Sequence, residues 1–341
     1  MVKQDTMRSN GSGRTRVSLG SQGIALLMVL WVLAILMVVV FSFSYMGRTE
    51  NLAVLSFREG VEKKFLAEAG VERGITEIFY RNMYKNQAVV LEGTEVWKTD
   101  GTPNKVQTAN GYFTVSMMDE TGKIDINTLT DTSGIILKNL LTNSGVPEEN
   151  AETIVDSILD WKDKTGGVMH RLHGAGDDYY MSLPNPYKAK HDNFDTLEEL
   201  LLVKGMTYEL LYGDGKKKGV IDFLTVYSKS PIINVMAAPK EVLSAIPGIT
   251  PEIADSIISS RGNQAGTPNF GNLLSNIQPP FNSFVGPTAS NTFTIDAAGY
   301  KGSAKQGYAV RATVVIEGNN KYRYLYYKSP AEVRHDRVSS D

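Results

Sequence analysis

The sequence predicts an α+β protein: a long N-terminal helix, strands on either side of a large and mainly helical stretch, and one helical pattern that occurs twice. Three observations carry this. An apolar run from Ile24 to Tyr45 leads into an amphipathic segment of helical period. Alternating β-branched and aromatic residues mark Tyr112 to Met117 and the two arms Tyr308–Ile316 and Tyr322–Tyr327. Between them, two stretches repeat a helix, a glycine turn with proline, and a second helix.

With 341 residues, 42% hydrophobic and 21% charged, the chain buries a real core, which excludes a disordered or fibrous class. Its formal charge is -2, and the first 23 residues hold Lys3, Arg8, Arg14 and Arg16 against Asp5. Without them 31 basic and 36 acidic residues remain, a poor start for binding a phosphate backbone. The absence of cysteine excludes disulfides, thiolate metal sites and cysteine nucleophiles.

The run from Ile24 to Tyr45 is 22 residues broken only by Ser42 and Ser44, and no charge falls between Ile24 and Met46. At roughly 1.5 Å per residue it spans about 33 Å, enough to cross a bilayer. The basic leader predicts an N-terminus held in the cytoplasm and the bulk of the chain on the other side. A secretory signal would place its small-residue cleavage site after a shorter apolar core, whereas here Gly23 comes first. The run alone therefore reads as an uncleaved signal anchor.

Beyond Met46, Leu52, Leu55, Val61, Phe65, Leu66, Ala69, Ile75, Ile78 and Phe79 recur at helical spacing. If both segments are one helix from Ile24 to about Lys85, it is roughly 90 Å long. Gly47, Gly60, Gly70 and Gly74 each weaken it by up to about 1 kcal/mol relative to alanine, so packing must support it. A loop is expected from Glu92 to Gly111, and a turn at Glu120-Thr121-Gly122-Lys123. Helix predominates to about Leu211, interrupted by a Gly/Asp/Pro-rich loop from Lys164 to Asn193. The closing arms read as a hairpin around Gly318-Asn319-Asn320, and the last dozen residues as a frayed end.

The repeat joins the stretch opening "IDINTL" to the one opening "IINVMA"; in the second, "IPGITPEIADSII" is close to a helix-hairpin-helix. Such turns often bind phosphates through backbone N–H groups, which raises a membrane-tethered DNA receptor as a second reading. Charge favours a packing role instead. Pro231 to Gly262 carries two basic and three acidic residues, and Ile124 to Thr165 three lysines against eight acidic residues. Thr250 also replaces the second glycine that would let backbone approach a phosphate.

Asp156, Asp160 and Asp163 fall on one helical face, and Asp177 and Asp178 follow across the glycine-rich loop. Carboxylates and loop carbonyls suit a hard cation such as calcium; a solvated acidic face is the plainer alternative. His170 and His173, with an arginine between them, read as surface histidines. No nucleophile elbow, phosphate loop, dinucleotide fingerprint or zinc-protease pattern gives an enzyme positive support, so the chain is read as a non-enzyme.

The basic leader ending in Gly23, the apolar helix from Ile24 and the extension "AEAGVERGI" resemble the leader and helix of type IV pilins and pseudopilins. Further along, "GKIDINTL", "ILDWKD", "GAGDDYY", "FDTLEELLLVKGMTYELLY", "INVMAAPKEVLSAIPGI" and the closing strand pair resemble the general secretion pathway protein K family, the minor pseudopilins of type II secretion. The ordered match runs from Gly23 to about Lys328. It implies prepilin-peptidase cleavage between Gly23 and Ile24, methylation of the new N-terminus, and a single-pass protein of the bacterial inner membrane with a periplasmic head. It also implies a pilin-like fold, a long helix on a small antiparallel sheet, with a mainly helical insertion of helix-hairpin-helix-like (SAM-like) repeats.

The expected divisions are 1–23 leader, 24–45 membrane part of the helix, 46–118 soluble helix and start of the head, 119–230 helical insertion, 231–290 second helix-hairpin-helix-like unit, and 291–341 closing strands and tail. The implied partners are other minor pseudopilins, the major pseudopilin and the prepilin peptidase, with no nucleic acid. Members of the family bind calcium in the insertion; carried onto this sequence, the resemblance makes Asp160, Asp163, Asp177 and Asp178 the candidate ligands, without assigning individual roles. Lys164 and Gly176 occupy places where further carboxylates are expected and lower the local count.

In pilin-like filaments the fifth mature residue is typically glutamate, whose carboxylate pairs in the bilayer with the N-terminal ammonium of the subunit above. Here that residue is Met28. The resemblance thus implies a subunit that accepts a neighbour below but offers no acid to one above, at the tip of a pseudopilus whose assembly it initiates or caps. A minor pilin of a related type IV pilus machine is the alternative.

Overall fold

A computed structural model describes residues 20–83, 97–165, 170–214, 217–261, 275, 277–302, 306–318 and 321–331. The leader cations, residues 84 and 85, the final ten residues and two residues of the Gly318 turn lie outside these. The chain divides into two compact units between Glu59 and Gly60. Helix α1 (Gly20–Met83) contributes to both.

In the first unit every described side chain from Ile24 to Glu59 is exposed. In the second, Ala67, Val71, Ile75 and Ile78 follow one another at three- and four-residue spacing and are buried. They pack on Phe113, Val115 and Met117 of β2 (Gly111–Asp119), Phe293, Ile295 and Ala297 of β7 (Thr292–Lys301), and Val310, Ala312 and Val314 of β8 (Tyr308–Ile316). The antiparallel sheet runs β1 (Asp100–Thr108), β2, β7, β8, β9 (Tyr322–Ala331).

Two of the four helix glycines have a packing reason. A Cβ at Gly70 would sit 3.0 Å from Ala297 Cβ, and one at Gly74 3.0 Å from Ile295 Cγ2, so both let the helix settle close on the sheet. The sheet answers with Gly299, where a Cβ would come 2.1 Å from the Lys63 carbonyl oxygen and 2.7 Å from Ala67 N.

The expected loop from Glu92 to Gly111 contains strand β1. Gly101, Pro103 and Asn104 gave it turn composition, but β1 is an edge strand, where proline is tolerated, and Gly101 (φ +87°) sits in the register shift between Asp100 and Pro103. The closing region holds a third strand, β7, beside the expected hairpin. The hairpin's second arm runs on to Ala331.

Strands β2 and β7 are hydrogen-bonded neighbours, yet residues 120–291 lie between them in sequence. This insertion has its own core. β3 (Ile124–Asp125) pairs in parallel with β4 (Leu224–Thr225), and β5 (Ile233–Asn234) with β6 (Val285–Gly286). Helices α2 (Gly134–Asn143) and α3 (Glu148–Trp161) form the first hairpin; α6 (Lys240–Leu243) and α7 (Pro251–Ser260) form the second. Their turns use Gly145 (φ +97°) and Gly248 (φ +95°). The described residues of the Lys164–Asn193 loop include a short helix, α4 (Asp177–Met181), and α5 (Tyr208–Tyr212) follows before β4.

Gly299→Ala should lower the stability of the second unit by about 1–3 kcal/mol, because the helix must back away from the sheet. Thermal unfolding of the detergent-solubilised full chain checks this; an unchanged midpoint would remove the close-approach account.

Candidate functional site

The membrane half of α1 is one candidate site and the acidic loop of the insertion the other. In α1, Gly23 lies within the helix and Met28 is 63% exposed, in a span whose first charged residue is Arg48. Thr49 bonds its hydroxyl back to the Tyr45 and Met46 carbonyls, and the helix runs on past the span.

The helical repeat is also a repeat of polar contacts. Asp125 Oδ1 accepts from Asn127 N at 2.9 Å, and Asn234 Oδ1 from Met236 N at 3.0 Å, so the same turn follows each short strand. At the end of each hairpin's second helix a cation reaches back to that turn. Lys162 Nζ donates to the Asn127 and Leu129 carbonyls at 2.9 and 2.6 Å; Arg261 donates to those of Val235 and Ala238. Burial lowers the pKa of both, that of Lys162 to about 8. The remaining basic groups of the two hairpins are paired as well: Lys138 with Glu148 and Glu152, Lys164 with Asp192, Lys240 with Asp255. Thr250 Oγ1 caps α7 by accepting from Ile253 N. The hairpins thus spend their cations on internal carbonyls and carboxylates rather than offering them to phosphates.

The four candidate aspartates do not converge. Asp160 is buried at the end of α3 and accepts from Arg171: Nη1 at 2.7 Å and the backbone N at 3.0 Å. Asp163 accepts from Thr165 N at 2.9 Å, which lowers its pKa. Asp177 Oδ1 accepts from Ala189 N at 2.9 Å, and Asp178 is exposed. His191 links two of them, its Nε2 3.1 Å from Asp177 Oδ1 and its Nδ1 3.0 Å from the Asp163 carbonyl. His170 is exposed, and His173 Nδ1 lies 3.4 Å from Asp156. Among the described residues no three His, Asp or Glu side chains group as a metal site. Of the four, Asp160 has both carboxylate oxygens taken by Arg171, which leaves neither for a calcium ion.

A family model for type II secretion system protein K matches residues 122–212, from the start of the insertion through α5 and including all four aspartates. The type II secretion system protein K of Pseudomonas aeruginosa is 24% identical over 257 residues, covering 72% of this chain and 74% of its own length. Residues 122–212 thus match type II secretion system protein K, the family that the sequence motifs resemble. Its N-terminal apolar helix is a single-pass membrane anchor. The crystal structure of the GspK–GspI–GspJ complex from enterotoxigenic Escherichia coli holds a chain of the same fold, with TM-score 0.59 and 16% identity, covering 82% of this chain and 100% of that one.

Sequence reading missed the group that closes the insertion. Asp119, the last residue of β2, is fully buried and accepts from Thr121 N and Oγ1, Ser290 N and Oγ, and Asn234 Nδ2, at 2.7–3.3 Å. Next to it Glu120, also buried, pairs with Lys123 at 2.6 Å and accepts from the Thr225 hydroxyl. The only signal was the adjoining run Glu120-Thr121-Gly122-Lys123, legible as turn chemistry. Asp119→Ala should strand these donors in the interior and cost the full chain about 3–5 kcal/mol, with Asp119→Asn recovering part. Chemical unfolding of both variants measures it, and an alanine variant as stable as wild type would contradict the role.

Proposed function

We propose that this type II secretion pseudopilin occupies the tip of the pseudopilus, where it initiates or caps assembly with other minor pseudopilins, its head on the periplasmic side. The observation that carries this is Met28. After cleavage at Gly23 it is the fifth residue, and nothing from Ile24 to Met46 is charged. An acidic side chain unpaired at the bilayer centre costs on the order of 2.5–3.5 kcal/mol, so a pilin that carries one seeks an ammonium above it. This chain has no such demand, while its own Ile24 ammonium can receive a neighbour's acid from below. The E. coli relative, crystallised with GspI and GspJ, supports minor pseudopilins as the partners.

The role is structural rather than catalytic. The buried carboxylates Asp119, Glu120, Asp125 and Asp160 are each taken by protein donors, and Arg311 by Asp296. The anchor and the basic leader support an inner-membrane location with the leader in the cytoplasm.

Met28→Glu gives the subunit an acid that seeks a partner above. Labelled subunits should then appear along filaments instead of at their ends, and secretion should fall; exclusive tip placement in that variant would refute the electrostatic reading. Deleting the gene should reduce filament number and secretion, and normal values of both would exclude the initiating role.

A further inference from the structure

We infer that the acidic loop of the insertion is stapled by the chain's own cations, with the Arg171 guanidinium standing where a divalent ion would otherwise join its segments. The insertion of this protein therefore folds independently of calcium.

Three separated segments meet at Arg171. Asp131 lies in the connection between β3 and α2, Asp160 at the end of α3, and Arg171 in the loop beyond. The guanidinium takes Asp131 with two donors, Nε to Oδ1 at 2.6 Å and Nη2 to Oδ2 at 3.2 Å, and turns Nη1 to Asp160 Oδ1 at 2.7 Å. The Arg171 backbone N–H then takes Asp160 Oδ2 at 3.0 Å, so both oxygens of the buried carboxylate are used. Bridging two carboxylates from different segments is what a bound divalent cation does, and a planar five-donor fork does it without one. Burial of Asp160, at 5% exposure, requires an opposite charge nearby, and Arg171 is the cation in contact with it. The two carboxylates hold the guanidinium firmly in its charged form.

Space points the same way. A Cβ on Gly174 would lie 1.8 Å from Asp160 Oδ2, so the loop backbone closes over the oxygen that an ion would have to reach. An ion with oxygen ligands at about 2.3–2.6 Å needs that face open. Other oxygens of the loop and of the segment after it are also given to side-chain cations. Lys204 Nζ donates to the Gly174 carbonyl at 3.2 Å, Lys190 bridges Asp195 and Glu199, and Lys164 pairs with Asp192.

The test is thermal unfolding of the full-length protein in detergent, in excess EGTA and in millimolar calcium chloride. The two midpoints should agree within about 1 °C, since a ligand that does not bind the folded state cannot stabilise it. A saturable rise of several degrees with calcium chloride would overturn the inference. Arg171→Gln should lower the midpoint by roughly 5–15 °C, and adding Asp160→Asn to it should recover most of that loss, because the uncompensated buried charge is then gone. An Arg171→Gln midpoint equal to wild type, or a double variant no better than the single one, would also overturn it. Should Arg171→Gln fail to fold, the chelator comparison on the wild-type protein and the midpoint of the double variant still decide.

Discussion

The structure turns on a buried carboxylate at a seam. Strands β2 and β7 lie side by side, but residues 120–291 leave the sheet at the end of one and return at the start of the other. Asp119 sits at that exit and accepts from residues on both sides of the gap: Thr121 in the turn just past β2, Ser290 just before β7, and Asn234 from the second helical repeat. A negative charge out of water is tolerated only when donors replace the lost hydration, and Asp119 has five of them. Closing the insertion's ends in this way lets a large helical body grow from the sheet without breaking the β2–β7 ladder, which keeps its register from Gly111–Lys301 to Asp119–Phe293.

The insertion solves its own problem by repetition. Each half opens on a two-residue strand, turns on an Asp or Asn side chain, folds a helical hairpin, and ties the hairpin's end to the opening turn with a cation, Lys162 in one half and Arg261 in the other. This use of charge separates the hairpins from those that bind nucleic acid: the cation works against carbonyls inside the same repeat. The cost is desolvation, visible in the lowered pKa of both groups, and each recovers it through two carbonyl contacts.

How much of this was legible depended on range. Helix α1 was readable because its apolar run and its period are local, and the hairpin of β8 and β9 because its residues are strongly β-forming. The repeat was visible as sequence similarity. Strand β1 was not, since Gly101 and Pro103 mimic a loop and only pairing with β2 makes them an edge strand. The helix glycines read as weaknesses in the sequence, whereas Gly70 and Gly74 let side chains of the sheet pack close against the helix. At the acidic loop, residue types suggested a cation but could not say which. The aspartates are joined by Arg171 and His191, partners 11 and 14 residues away, and that pairing exists only in three dimensions. Asp119 escaped notice for the same reason, its acceptor role depending on Ser290, which is 171 residues distant.

The sheet, clasped by α1 through Gly299, carries a self-stapled insertion, while the proposed tip position follows from the uncharged span that begins at Ile24. The central claim is that the subunit accepts one neighbour along the filament axis. Native mass spectrometry of detergent-extracted assemblies of differing length tests this most directly. One copy of this chain per assembly, whatever the number of major subunits, is the predicted result; a copy number that rises with assembly length would contradict it.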